Sequence, residues 1–177
     1  MAIRRIPGSF LTLHHDLLEQ ARHLALREPK KPRQASLRRA VSTAYYSIFH
    51  MLLYDATHLL FPNKPAGLRQ RASRAFSHRD ARNVCAMFAK QSGGIRDLTS
   101  DPLEVELSEI AATFVELHEA RSKADYDLAE VFDRVQVVGR IDQASDAMKK
   151  WAVVKNVPNA NVFLAALLLH SRWNRDQ

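Results

Sequence analysis

The sequence predicts an all-α protein, and three observations carry that prediction. Glycine (5) and proline (7) are scarce in 177 residues, which favours long helices over turn-rich sheets. Apolar residues recur at three- and four-residue spacings along most of the chain. Pro29, Pro32, Pro62, Pro65 and Pro102 fall between the periodic stretches, where a proline ends one helix or opens the next.

The first helix is expected over about residues 12–27, with Leu13, Leu17, Leu18, Ala21, Leu24 and Ala25 on its inner face. Glu28-Pro29-Lys30-Lys31-Pro32 ends it as a basic connector. A second helix spans about 34–60 and stops at Phe61-Pro62-Asn63-Lys64-Pro65; at 1.5 Å per residue it is about 39 Å long. Residues 66–77 read as a basic segment. Ser77, with Asp80 three positions on, is a helix start, and that short helix turns Ala81, Val84, Cys85 and Phe88 inward before Gly93-Gly94.

Asp101-Pro102-Leu103-Glu104 reads as a further start: cap, proline in the first helical position, then glutamate. The helix it opens buries Leu107, Ile110, Ala111, Phe114 and Leu117. Asp127-Leu128-Ala129-Glu130 repeats the cap pattern for the next helix. That helix carries two apolar stripes on nearly opposite sides, Leu128/Val131/Phe132/Val135 and Val137/Ile141/Ala144/Met148/Trp151. The changeover lies near Gly139, so either the helix kinks there or its second half is covered from another direction. The last helix, about 159–173, is apolar all round from Val162 to Leu169, and must be sandwiched in the fold or in a dimer.

Composition narrows the function classes. Hydrophobic residues at 46% and charged residues at 25% suit one globular domain with a core. The lone Cys85 excludes an internal disulfide, fits a reducing compartment and sits among Val84, Met87 and Phe88 as a packing residue. No apolar run is long enough to span a membrane, and the Phe10-Leu11-Thr12-Leu13 run ends at His14-His15-Asp16 before a signal core forms; the expected location is cytoplasmic. No metal is expected, since His14-His15 and Arg22-His23 lack a second ligand set, and no cofactor.

The net charge of +7 is unevenly spread: residues 1–100 hold 17 Lys/Arg against 6 Asp/Glu, and residues 101–177 hold 9 against 13. Such asymmetry suggests a steering field, or basic and acidic faces that pair between subunits or with a partner. Arg69, Arg71, Arg74, Arg79 and Arg82 stand against Asp80 alone. They are the candidate nucleic-acid-binding residues, with Lys30, Lys31, Arg33 and Arg38 as further phosphate contacts.

Two helical stripes carry the candidate site. In the second helix Val41, Ala44, Tyr45, Ile48 and Leu52 face the core, whereas Arg39, Thr43, Tyr46 and His50 share another side at offsets of four, seven and eleven. In the helix after Asp101 the inner stripe continues as Phe114, His118, Arg121 and Asp125. An inward charge needs a partner: Arg121 and Asp125 are one turn apart, and Arg39, Tyr46 and His50 complete the polar network from the other helix. These groups either satisfy one another as a buried structural network or supply a base, an acid and a phosphate clamp for 2′-OH attack on RNA.

Residues 39–50 (R-x5-Y-Y-x3-H), Ser77-His78 at the start of a short helix, and Arg121-Ser-Lys-Ala-Asp-Tyr-Asp127 occur in the order found in small stand-alone prokaryotic HEPN-domain proteins, and the chain resembles that family over about residues 10–150. The resemblance implies an up-and-down bundle of four to five helices, within one domain spanning 1–177, with residues 151–177 as an added C-terminal helix. It also implies a homodimer with polar residues at a groove near the dimer interface. Many such proteins are metal-independent ribonucleases of toxin–antitoxin or antiphage systems, whose signature is Arg, four to six residues, then His. On this chain the arginine is Arg121, but Tyr126 stands five positions on, where the histidine is expected. The one Arg-to-His spacing in range, Arg71 to His78, lies before the third helix, where the signature is not found.

Three functions are expected on these grounds. The first is a HEPN-family nucleotide- or RNA-binding protein of a toxin–antitoxin-like or defence module with lost or weakened nuclease activity. The second is an active ribonuclease using His50, Arg121 and His118 or Tyr126. The third is an interaction module that binds a nucleotidyltransferase or cognate toxin.

Overall fold

The computed structural model describes residues 12–63, 65–92, 94, 97–100 and 102–173. Its secondary structure is all-α: α1 (Leu13–Leu26), α2 (Gln34–Leu60), α3 (Ala66–Ser73), α4 (His78–Lys90), α5 (Val105–Tyr126), α6 (Arg134–Val154) and α7 (Pro158–Trp173). No strand occurs among the described residues, and no helix among them is long and apolar enough to cross a membrane. The Phe10-Leu11 run, Gly93 and the expected cap Asp101 lie outside the described residues.

The chain forms two compact units, one from residues up to Met51 together with Leu117–Ser145, the other from Leu52–Glu116 together with Asp146 onward. α2, α5 and α6 each contribute to both. In the first unit the core is built from Ala21 and Ala25 of α1, Leu37, Ala40, Val41, Ala44, Tyr45 and Ile48 of α2, Leu117 of α5, and Val137, Ile141 and Ala144 of α6, all fully buried or nearly so. α1 buries only its two alanines; Leu13, Leu17, Leu18 and Leu24 of its expected inner face keep partial exposure.

The link from α5 to α6 departs from expectation. Asp127 does not start a helix. Its Oδ1 accepts from Ala129 N at 2.9 Å in a local turn, and α6 starts at Arg134, where Asp133 Oδ1 accepts from Gln136 N at 2.9 Å. Leu128, Val131 and Val135 are exposed, and only Phe132 is buried. The apparent conflict of two stripes on one helix thus dissolves: residues 128–132 are loop, and α6 has the single inward stripe Val137, Ile141, Ala144, Met148 and Trp151.

Side chains of α2 hold this loop. Gln34 brackets Phe132, donating to its carbonyl at 2.7 Å and accepting from its N–H at 3.0 Å. Arg38 donates to the carbonyls of Ala124 (2.9 Å), Asp127 (2.9 Å) and Glu130 (2.5 Å). Backbone acceptors that neither helix nor sheet would satisfy are thereby paired. Arg38 is committed to this structural task and is not available as the phosphate contact expected of it.

α6 runs unbroken through Gly139, so no kink is needed there. Gly139 is exposed, and nothing lies within 4 Å of a Cβ added to it. Gly139→Ala is therefore expected to stabilise the protein by about 0.5–1 kcal/mol through helix propensity and reduced unfolded-state entropy. Thermal unfolding followed by circular dichroism checks this; an unchanged or lower melting temperature contradicts it.

In the second unit Phe88 of α4 meets Phe163 of α7 edge-to-face at 4.8 Å, and Trp151 lies 6.1 Å from Phe163. The buried Trp151 donates its indole N–H to Asp55 Oδ2 at 2.6 Å, as a buried indole requires. Ser77 caps α4 as expected, its Oγ accepting from Asp80 N at 3.0 Å. The helix ends earlier than the glycines suggest, with Gln91 in the left-handed conformation (φ 48°). α5 starts at Val105 rather than just after residue 101. Glu104 supplies the first carbonyl, and its carboxylate accepts from the buried Asn159 of α7 at 3.0 Å. Asn159 also pairs with both backbone groups of Ser100, at 2.8 and 3.0 Å. α7 buries Ala160, Phe163, Leu164, Leu167 and Leu168, leaving Val162, Ala165 and Leu169 partly exposed.

Within the basic segment 66–77 the structure forms a helix, α3, that the sequence does not predict. It is an eight-residue helix with no buried residue, so the burial periodicity that reveals a helix in sequence is missing from it.

Candidate functional site

The polar stripe on α2 is Ser42, Tyr46 and His50, at steps of one helical turn. α5 lies antiparallel to it in the first unit, so Asp125 stands opposite Ser42, and Arg121 one turn back opposite Tyr46. Ser42 Oγ donates to Asp125 Oδ1 at 2.5 Å. Asp125 Oδ2 ion-pairs with Arg121 Nε at 2.7 Å, and Arg121 Nη2 donates to the Tyr46 phenol oxygen at 3.1 Å. A hydroxyl, a carboxylate, a guanidinium and a phenol form one chain of contacts across two helices.

The Arg121 side chain is 15% exposed and that of Asp125 26%, which lessens the solvent screening that makes surface ion pairs weak. Three phenol rings surround the guanidinium, with centroids at 6.0 Å (Tyr45), 5.7 Å (Tyr46) and 5.6 Å (Tyr126). Burial works to lower the pKa of Arg121, but Tyr46 and Asp125 raise it by more, so the cation is permanent. Tyr126 differs from the other two phenols in being exposed.

The two histidines lie along the same helices. His118 meets the Tyr45 ring edge-on at 5.7 Å. The His50 ring is 6.1 Å from Tyr46 and 5.6 Å from Phe49, and burial lowers its pKa below the ordinary 6.5. His50 is thus neutral at pH 7. Its protonation is resisted by the fold, so its contribution to stability is present above pH 6.5 and lost on acidification below it.

Of the residues expected in the site, Tyr46, Arg121 and Asp125 form the network, and Tyr126 flanks it. His50 reaches it through the Tyr46 ring, and His118 through Tyr45. Arg39 does not take part: it is exposed, and its carbonyl accepts from Thr43 Oγ1 at 2.7 Å. The place facing Asp125 is taken by Ser42, which is fully buried and small enough to let α2 and α5 approach. The four-residue spacing of Ser42, Tyr46 and His50 is the signal that would have found it.

The basic cluster belongs to the second unit. Arg69 and Arg71 lie on α3, Arg74 caps its C-terminus, and Arg79 and Arg82 lie in α4. Arg71, Arg74 and Arg79 are exposed, whereas Arg69 is partly covered and reaches the Phe61 carbonyl at 3.4 Å. Among the described residues no group of three or more His, Cys, Asp or Glu side chains could hold a metal ion. Cys85 is buried and its thiol pKa is pushed well up by that burial, which leaves it no thiolate character at neutral pH.

Comparison of the chain with family models, with curated proteins and with solved structures finds no match.

Proposed function

We propose that this chain is a HEPN-like RNA- or nucleotide-binding protein of a toxin–antitoxin-like or defence module, with its ribonuclease chemistry weak or lost. The observation that carries this reading is the exposed Tyr126 ring beside the fixed Arg121 cation. An exposed phenol is a stacking surface for an unpaired base, and a guanidinium next to it suits the adjoining phosphate. Exposed Arg71, Arg74 and Arg79 supply further phosphate attraction. The weakness of the nuclease follows from Tyr126 at the histidine position, since a phenol does not exchange protons near neutral pH as imidazole does. The protein works as a homodimer beside a nucleotidyltransferase, toxin or antitoxin.

An active metal-independent ribonuclease is the second reading, favoured by His50. A neutral imidazole at pH 7 can remove a 2′ proton, with Arg121 as phosphate clamp and His118 as acid.

Incubation of the purified protein with tRNA, mRNA and a fluorescent single-stranded RNA decides between them. Binding should weaken steeply with salt and fall about 10-fold or more in Tyr126→Ala, the loss of one stacked base, while the RNA stays intact over hours. Cleavage that Arg121→Ala or His50→Ala abolishes supports the second reading. RNA affinity indifferent to both salt and Tyr126 overturns the first.

A further inference from the structure

Two exposed surfaces of opposite charge occur on this chain. One is the loop between α5 and α6 with its flanks. Within ten residues it exposes Tyr126 (72%), Leu128 (92%), Val131 (73%) and Val135 (83%). Solvated loops seldom present so many large apolar side chains together, and this one is held by Arg38 and Gln34, so its shape is set before any partner arrives. Residues 125–133 hold Asp125, Asp127, Glu130 and Asp133 and no Lys or Arg. Arg121 pairs with Asp125 and Arg38 lies under the loop, but the Glu130 carboxylate has no hydrogen bond or ion pair to a described residue.

The other surface is α3. It buries none of its residues, and an eight-residue helix has little stability of its own in water. It exposes Leu68 (40%) beside Arg71 and Arg74, whose guanidinium groups are likewise unengaged by described residues. Arg79 follows at the start of α4. An apolar residue ringed by cations is the chemical complement of apolar residues ringed by carboxylates.

We propose that α3 of one copy docks on the α5–α6 loop of a second copy, giving salt-sensitive head-to-tail association. Leu68 would meet Leu128 and Val131, and Arg71 and Arg74 would meet Asp127 and Glu130. Charge disfavours the loop pairing with itself across a two-fold axis, because that sets carboxylates against carboxylates. A head-to-tail contact leaves one loop and one α3 unused at the ends, so association grows with concentration unless a ring closes.

Sedimentation velocity of the nuclease-treated full chain tests this at about 50 mM and about 0.5 M NaCl, salt being the screen for exposed charge pairs. At low salt the mass should rise with concentration to about twofold or more that of the high-salt species. D127K/E130K and R71E/R74E should each remove the rise, and an equimolar mixture of the two variants should restore it, since each then offers the other an opposite charge. The proposal is overturned if no salt-dependent growth occurs, or if growth survives either charge reversal. Growth seen in a parallel untreated sample but not in the nuclease-treated one would identify RNA as the bridge and also overturns it. So does association that L128S/V131S abolishes but the reversals do not, which would be an apolar two-fold contact. RNA affinity and the Tyr126 effect are read separately, so either result can fail alone.

Discussion

Arg38→Ala should cost about 2–4 kcal/mol of unfolding free energy, a large share of what a domain of this size has. Three charge-assisted bonds from one guanidinium end on the carbonyls of Ala124, Asp127 and Glu130, and the same group lies 5.7 Å from the Phe132 ring. Hydrogen bonds to a charged donor contribute about 1.5–3 kcal/mol each, but the three share one donor and are not additive. Alanine would leave those carbonyls to water and uncover Phe132. Arg38→Lys should recover less than half of the loss, because a single ammonium cannot reach three acceptors that a planar fork spans. Urea unfolding measures the loss, and amide exchange across residues 127–133 locates it. A cost under about 1 kcal/mol, with unchanged exchange, would mean that the Gln34 bracket holds the loop alone.

That arginine also marks where sequence reading runs out. Its partners are backbone carbonyls about ninety positions away, and a carbonyl has no signature in sequence. The pattern at Asp127 misleads for a related reason. An aspartate two residues before an N–H it can accept makes a local turn as readily as a helix cap, and the choice is settled by Arg38 and Gln34 from another helix. Leu128, Val131 and Val135 imitate a helical stripe while pointing at water. α3 escapes for the opposite reason: it is a helix with nothing buried, so it leaves no periodicity to read.

What could be read was local and periodic. The extent of α2, the cap at Ser77 and the inward run from Leu107 to Leu117 follow from spacing and capping chemistry, and the structure places them accordingly. The polar network was legible because Arg121 and Asp125 interrupt an apolar stripe in register with it, which requires a partner on the facing helix. Tyr46 was recognisable by the same reasoning. Charge and offset point to Arg39 as a member of the network, whereas close helix packing there demands a small residue, and Ser42 meets that demand. Sequence spacing fixes the angle of a side chain around its helix; it does not fix how near the facing helix comes.

Arg121→Ala is expected to have the largest effect on function. Removing the guanidinium leaves the Asp125 carboxylate, 26% exposed, with the Ser42 hydroxyl, and takes the Arg121 hydrogen bond from the Tyr46 phenol; a partly buried carboxylate that loses its ion pair costs about 2–3 kcal/mol. RNA affinity should fall about 10-fold or more at the same time, because the cation beside the exposed Tyr126 ring is gone. Stability loss by itself would suit a purely structural network, so the discriminating variant is Asp125→Asn. It keeps a polar partner for Ser42 and Arg121 while removing the charge that holds the guanidinium. If the cation binds phosphate, Asp125→Asn lowers stability yet keeps or raises RNA affinity, since Arg121 no longer shares its charge with a carboxylate. A structural network predicts instead that neither variant changes RNA affinity once both are measured well below their melting temperatures. Crossing the two substitutions gives the coupling energy of the pair, and with it the share of the Arg121→Ala loss that belongs to folding rather than to RNA.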